Sequence, residues 1–171
     1  GYRPVILERG QDVESRTHKV QAFWDAGLLD TECNVQFGEG GAGSFSDGKL
    51  TCRTRDIRSR WFFKKLVDAG APPEILYQAK PHVGTDKLKN VVKNIRLQIE
   101  AFGGEVRFGQ RVDQLLYDGE RIQGVRLANG EEILSDAVIL SIGHSARDTF
   151  EALADMGVSI TPKPFAVGFR I

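Results

Sequence analysis

The sequence predicts an α/β fold in which parallel strands and helices are accompanied by an antiparallel three-stranded meander. Three observations carry that expectation. Unbroken apolar runs at Val5-Ile6-Leu7 and Ala137-Val138-Ile139-Leu140 read as strands buried on both faces of a parallel sheet. Leu88, Val91, Val92, Ile95, Ile99 and Phe102 follow the 3.6-residue period of an amphipathic helix. Asp118-Gly119 and Asn129-Gly130, dipeptides suited to tight hairpin turns, separate strand-like segments over 112–117, 121–127 and 131–134.

In chain order, Val5-Ile6-Leu7 ends in Glu8, and an acid at that place has a known use. In dinucleotide-binding βαβ units, an acid closing the second strand accepts hydrogen bonds from the adenosine ribose. A carboxylate at a strand end is more often simply solvated. Asp12 is placed to cap a helix that turns Val13, Val20, Phe23 and Trp24 inward and ends near Gly27. A second helix is expected to bury Trp61, Phe62, Leu66 and Val67 and to stop at Gly70 before Pro72-Pro73. Thr85 can cap the long periodic helix, which Gly103-Gly104 closes. After the meander, residues 137–143 are expected to rejoin the parallel sheet, and 147–156 form a short helix.

The stretch Gly38-Glu39-Gly40-Gly41-Ala42-Gly43-Ser44-Phe45-Ser46-Asp47-Gly48-Lys49 holds five glycines in twelve residues and almost no apolar mass. Such a stretch suits a loop whose backbone takes positive φ or closely approaches a ligand. Gly38, Gly40 and Gly43 fit G-x-G-x-x-G, and Gly43 to Lys49 fits G-x-x-x-x-G-K. Context supports neither pattern. No apolar helix opens at Gly43, no acid follows a second strand, and Leu50 stands where a phosphate loop needs Ser or Thr. Arg53, Arg55, Arg58, Arg60, Lys64 and Lys65 form a basic cluster that could hold an anion but more commonly marks a solvated helix face. His82, in the loop Pro81-His82-Val83-Gly84, is a candidate proton donor or an ordinary loop histidine.

With 171 residues, 41% of them hydrophobic, the chain can bury one ordinary core. Lys+Arg and Asp+Glu both number 23, which argues against an extended nucleic-acid surface. Two cysteines, Cys33 and Cys52, without a C-x-x-C pair, support neither a disulfide framework nor a structural zinc site, and fit a reducing, cytoplasmic compartment. No apolar run approaches the roughly 20 residues of a spanning helix, so no membrane partner is expected. A strand opening at Tyr2 and an extended apolar stretch over 164–171 suggest a piece of a longer protein.

The strand ending Val5-Ile6-Leu7-Glu8-Arg9-Gly10, the helix, strand and meander that follow, and the run Ala137-Val138-Ile139-Leu140-Ser141-Ile142-Gly143 occur in an order that resembles the FAD-binding domain of glutathione-reductase-type flavoproteins. The stretches 36–50, 80–86 and 142–148 resemble, more specifically, a bacterial family of FAD-dependent dehydrogenases. The resemblance implies a partial FAD-binding, Rossmann-like domain over 1–145, a cofactor-side insertion over 44–84, and the start of a substrate-side region from 146 to 171. The family's first strand and glycine turn would precede Gly1, and the 171 residues alone would be inactive.

By the same resemblance Glu8 would hold the adenosine ribose, and Arg9 would lie by the adenine or pyrophosphate. Gly40, Gly41, Gly43, Ser44, Ser46, Asp47 and Gly48 would wrap the pyrophosphate, ribityl and flavin side. Val112 would contact adenine through its backbone, and Ile142 and Gly143 would pass close to the cofactor. Lys49 and His82 are the side chains to test near the flavin, with catalytic residues otherwise unassigned. The partners implied are FAD, a small-molecule substrate and NAD(P) as a candidate electron partner. Two other readings stay open: a nucleotide-binding module or NTPase built on Gly43 to Lys49, and a noncatalytic fragment.

Overall fold

A computed structural model describes residues 2–46, 48–50, 56–164 and 168, and shows a mixed α/β chain in two compact units that divide between Arg111 and Val112. In the first unit, strand β1 (Val5–Glu8) pairs in parallel with β2 (Glu105–Phe108), Val5 opposite Glu105 and Glu8 opposite Phe108. Three helices lie between them in sequence: α1 (Val13–Ala26), α2 (Arg58–Asp68) and α3 (Thr85–Ala101). The crossover is therefore that of a parallel pair, which needs a long connection to return in the same direction.

Helix α1 begins where expected. The Asp12 carboxylate accepts from the Glu14 and Ser15 amides at 3.1 Å each, and Gly27, at φ 69°, ends the helix in the left-handed conformation. Val13 and Val20 are buried. The core of this unit lies between α2, a 3-10 turn at Pro73–Leu76 and the first half of α3: Leu66, Ile75, Val83, Leu88 and Val91 pack together, flanked by Phe63, Val67 and Ile95.

Several side chains expected inside are outside. Phe23, Trp24, Trp61, Phe62 and Phe102 are all exposed, as are Val5 and Ile6 on β1. The reason for β1 is that it has a single ladder partner among the described residues, since a parallel strand is covered on both faces only within a wider, double-layered sheet. On α2 the core takes the side bearing Phe63 and Leu66, which leaves Trp61, Arg58, Lys64 and Lys65 outside. Gly84, not Thr85, occupies the cap position of α3, and no side chain bonds there.

The second unit is the expected meander with one helix. β3 (Val112–Tyr117), β4 (Ile122–Leu127) and β5 (Glu132–Leu134) pair antiparallel in that order, with register shifts in the β3–β4 ladder. Gly124 is required within β4, because a Cβ there would lie 2.1 Å from the Ile133 carbonyl oxygen. Helix α4 (Arg147–Asp155) lies against β3 and buries Leu153. Residues 137–143 do not form the expected strand: among the described residues they join no ladder, and Ile139 is 91% exposed. An apolar run is strand-like only when another strand lies alongside to take its N–H and C=O groups.

Replacing Asp12 with Ala should cost about 1 kcal/mol of stability, read from the denaturant midpoint. Burial alone raises the Asp12 carboxyl, but hydrogen bonds from Ser15 and Glu14 outweigh it and hold the group below its ordinary value. A carboxyl depressed in the folded state stabilises above its unfolded pKa, about 3.9. That contribution is lost as pH falls through the lower folded value. The gap between wild type and Asp12→Ala should thus be level near neutral pH and close in acid below about pH 3.9; a gap that widens in acid would contradict this assignment.

Candidate functional site

The C-terminal end of β1 meets the glycine loop on one side and the residues that follow β2 on the other. Glu8 Oε1 accepts from the Gly10 and Gly38 amides, both at 2.9 Å, and the Glu8 and Gly10 carbonyls accept from the Gln110 and Gly109 amides at 2.9 and 2.8 Å. The two backbones touch, since a Cβ on Gly10 would stand 2.5 Å from Gly38 Cα. Arg9 lies over the Phe37 ring, 4.5 Å from its centroid, and 3.8 Å from Glu32 Oε2. In parallel α/β sheets, the carboxyl ends of the strands are where ligands bind.

The loop itself is folded around a cation. Arg16 of α1 is fully buried, and its Nη1 donates to the carbonyls of Gly38 (3.2 Å), Glu39 (2.7 Å) and Gly41 (2.9 Å), while Nε donates to Asn34 O at 2.9 Å. Burial pulls the Arg16 pKa down against the opposing fields of Glu8 and Glu39, yet a guanidinium stays charged in a protein. Gly38, Gly40 and Gly41 take φ of 119°, 85° and 62°, a run that side-chain-bearing residues resist. Gly43 and Ser44 lie in a 3-10 turn over Ala42–Phe45, and the Phe45 ring receives Arg16 Cζ at 4.8 Å and Lys89 Nζ at 5.0 Å.

Glu39 ties the loop to two helices. Its Oε2 accepts from the Val13 amide and its Oε1 from Arg96 Nε, both at 2.8 Å, with only 7% of the residue exposed. Two buried polar atoms of the loop region have no partner among the described residues, Arg16 Nη2 and Ser44 Oγ. Such atoms cost about 1–3 kcal/mol each and ask for an explanation in function or strain.

Gly48 and Lys49 belong to a short two-stranded contact with the loop after Lys80. The Val83 amide donates to Gly48 O at 3.0 Å and the Leu50 amide to Pro81 O at 2.9 Å, so that Lys49 stands opposite His82 in an antiparallel bridge. Directly opposed residues put their side chains on one face, and both of these are exposed. Among the described residues no helix follows Lys49 before Arg58. Of the basic cluster, Arg58, Arg60, Lys64 and Lys65 are on the exposed side of α2, with Arg58 paired to Asp56 at 2.5 Å and Lys65 3.6 Å from Asp68. Arg53 and Arg55 lie outside the described residues.

No family model matches the sequence. The chain is 51% identical over all 171 of its residues to an uncharacterized protein of Clostridium beijerinckii. It spans 32% of that protein's length, so about a third of the relative is represented.

Of the residues singled out by sequence, Glu8, Arg9, Gly40, Gly41, Gly43, Ser44 and Ser46 come together around the end of β1 and the glycine loop. Gly48 is buried beside Val83 and Leu88, and Asp47 lies outside the described residues. Val112 opens β3, while Ile142 and Gly143 lie in the segment that joins no ladder among the described residues, all three in the second unit. Reading by pattern passed over Arg16, Glu39 and Arg96. One signal was available: Arg16 sits at helical spacing between Val13 and Val20, a charge within the buried stripe of α1. Among the described residues there is no cluster able to hold a metal ion, and no helix long and apolar enough to cross a membrane.

Glu39→Ala should destabilise the protein by about 3–5 kcal/mol, the cost of stranding a buried partner, while Glu39→Gln should cost less because it keeps an acceptor. Chemical denaturation of both variants measures this. A loss under about 1 kcal/mol for Glu39→Ala, the value for an exposed ion pair, would show that Glu39 does not hold the loop.

Proposed function

We propose that these residues are part of the FAD-binding portion of an FAD-dependent oxidoreductase that exchanges hydride or electrons with a small-molecule substrate. The observation that supports this best is the joining of a strand-end acid to a glycine loop 30 residues away, Glu8 Oε1 bridging the amides of Gly10 and Gly38 at the carboxyl end of a parallel strand pair. Oε2 of the same carboxylate has no hydrogen bond among the described residues and is the acceptor we assign to the ribose hydroxyls. Gly40, Gly41 and Gly43 let the main chain approach the cofactor, with Ser44 and Ser46 as polar contacts on the pyrophosphate and ribityl side. Arg9 would lie by the adenine or pyrophosphate.

The residues fit such a group on two counts: a backbone with positive φ at successive glycines, and buried polar atoms, Arg16 Nη2 and Ser44 Oγ, without partners among the described residues. When bound, the flavin supplies the redox chemistry, and the chain supplies position and electrostatics. Lys49 and His82, opposed across one bridge, are the side chains proposed to face the reacting end, and NAD(P) is the proposed electron partner.

The full-length protein should purify yellow, with flavin absorbance near roughly 450 nm. Glu8→Gln, which keeps the side chain's size and removes its charge, should weaken FAD binding about tenfold, the worth of about 1.4 kcal/mol in a charge-assisted hydrogen bond. A colourless full-length protein that also fails to take up added FAD would sink the proposal.

A further inference from the structure

The flavoprotein reading assigns the glycine loop to a cofactor but gives no role to the cation inside it. Arg16 gathers the carbonyls of Asn34, Gly38, Glu39 and Gly41 toward one point. A trans peptide carries its C=O and its N–H on opposite edges, so each carbonyl drawn inward turns the next residue's amide away. The effect is visible at Gly38, where the following amide, Glu39 N–H, leaves the loop and donates to Gln11 O at 3.0 Å. The other two loop carbonyls turn out the amides of Gly40 and Ala42, residues that are both exposed, and these amides have no hydrogen bond among the described residues.

We propose that Arg16 is a positioning residue for the cofactor loop: by holding the carbonyls inward it presents the Gly40 and Ala42 amides to an acceptor oxygen of the bound cofactor. The inference rests on the reading of the loop as an FAD site. Arg16 Nη2 and Ser44 Oγ, buried in the same loop and without hydrogen-bond partners among the described residues, agree with a loop shaped for something other than its own hydrogen bonding. Arginine is needed because one planar fork spans four carbonyls, whereas an ammonium is a point donor on a flexible stem.

Two variants of the full-length protein test it. Arg16→Lys keeps the charge and loses the fork. Gly41→Ala leaves Arg16 in place but puts a Cβ on a residue at φ 62°, ψ −168°, a conformation open essentially to glycine alone, with no atom within 4 Å for that Cβ to strike. FAD is titrated into apoprotein by flavin fluorescence, and visible circular dichroism of the saturated protein reads the environment of the bound flavin. Both variants should raise the FAD dissociation constant at least tenfold and alter the flavin dichroism. A merely structural role would lower the melting temperature and leave the saturated spectrum as in wild type. Wild-type affinity and an unchanged spectrum in both variants would overturn the role of Arg16 while leaving the flavoprotein reading intact. A wild-type protein that takes up no FAD would overturn both, and if Arg16→Lys fails to fold, Arg16→Gln, which keeps a planar donor, is titrated in its place and read by the same two outcomes.

Discussion

A buried guanidinium determines the form of the first unit's glycine loop. Arg16 cannot be solvated where it lies, and a cation out of water must be matched by strong acceptors close by. The chain meets that demand mainly with main-chain oxygens, four of them from a segment of eight residues, 34 to 41. Oxygens so near in sequence converge on one point only if the backbone turns back on itself. Gly38, Gly40 and Gly41 allow this, and Gly38 has a further reason to be glycine, since a Cβ there would lie 2.4 Å from Arg16 Cδ. The glycines and the arginine are therefore one device.

Glu39 completes it with charge. Alone, an Arg16 ringed by neutral carbonyls would leave a net positive field in a poorly solvated place. Glu39 and Glu8 supply two negative charges against Arg16 and Arg96, and the cluster balances. Because Glu39 also takes the Val13 amide, the loop is fastened to the start of α1, and through Arg96 it is fastened to α3. Arg96 in turn lies 5.6 Å from the centroid of Phe108, the last residue of β2. One acid in a glycine-rich stretch thereby fixes the loop against two helices and, through a cation over an aromatic ring, against the sheet.

The parts of the fold that were legible in the sequence are those set by local chemistry. Asp12 and Gly27 delimit α1 because caps and left-handed glycines act within a few residues, and the two hairpin dipeptides place the meander to within a residue for the same reason. What pattern reading mistook depended on neighbours. The run at 137–143 has the composition of a buried strand but no ladder partner among the described residues, and Trp61 and Phe62 have the mass of core residues but lie on the side of α2 that the core does not use. The candidate site was half legible: Glu8 and the glycines declared themselves by type, whereas Arg16 and Glu39 belong to no motif. Their roles come from contacts 18 to 57 residues away along the chain.

Glu8 shows how a local signal becomes a joint between distant segments. One of its oxygens accepts two amides, Gly10 next along the strand end and Gly38 in the loop, and so seals a contact in which the two backbones nearly touch. Two hydrogen bonds to fixed main-chain donors leave the carboxylate little rotational freedom. The position of its second oxygen is therefore set by the scaffold before anything approaches it, and an acceptor held in place loses less entropy on binding than one that must be ordered by its ligand. The same amides and carbonyls that keep Arg16 enclosed keep Gly38 where Glu8 can reach it. Loosening either charge would release both, which is why the acid at the strand end and the cation in the helix, eight residues apart in sequence, belong to a single piece of construction.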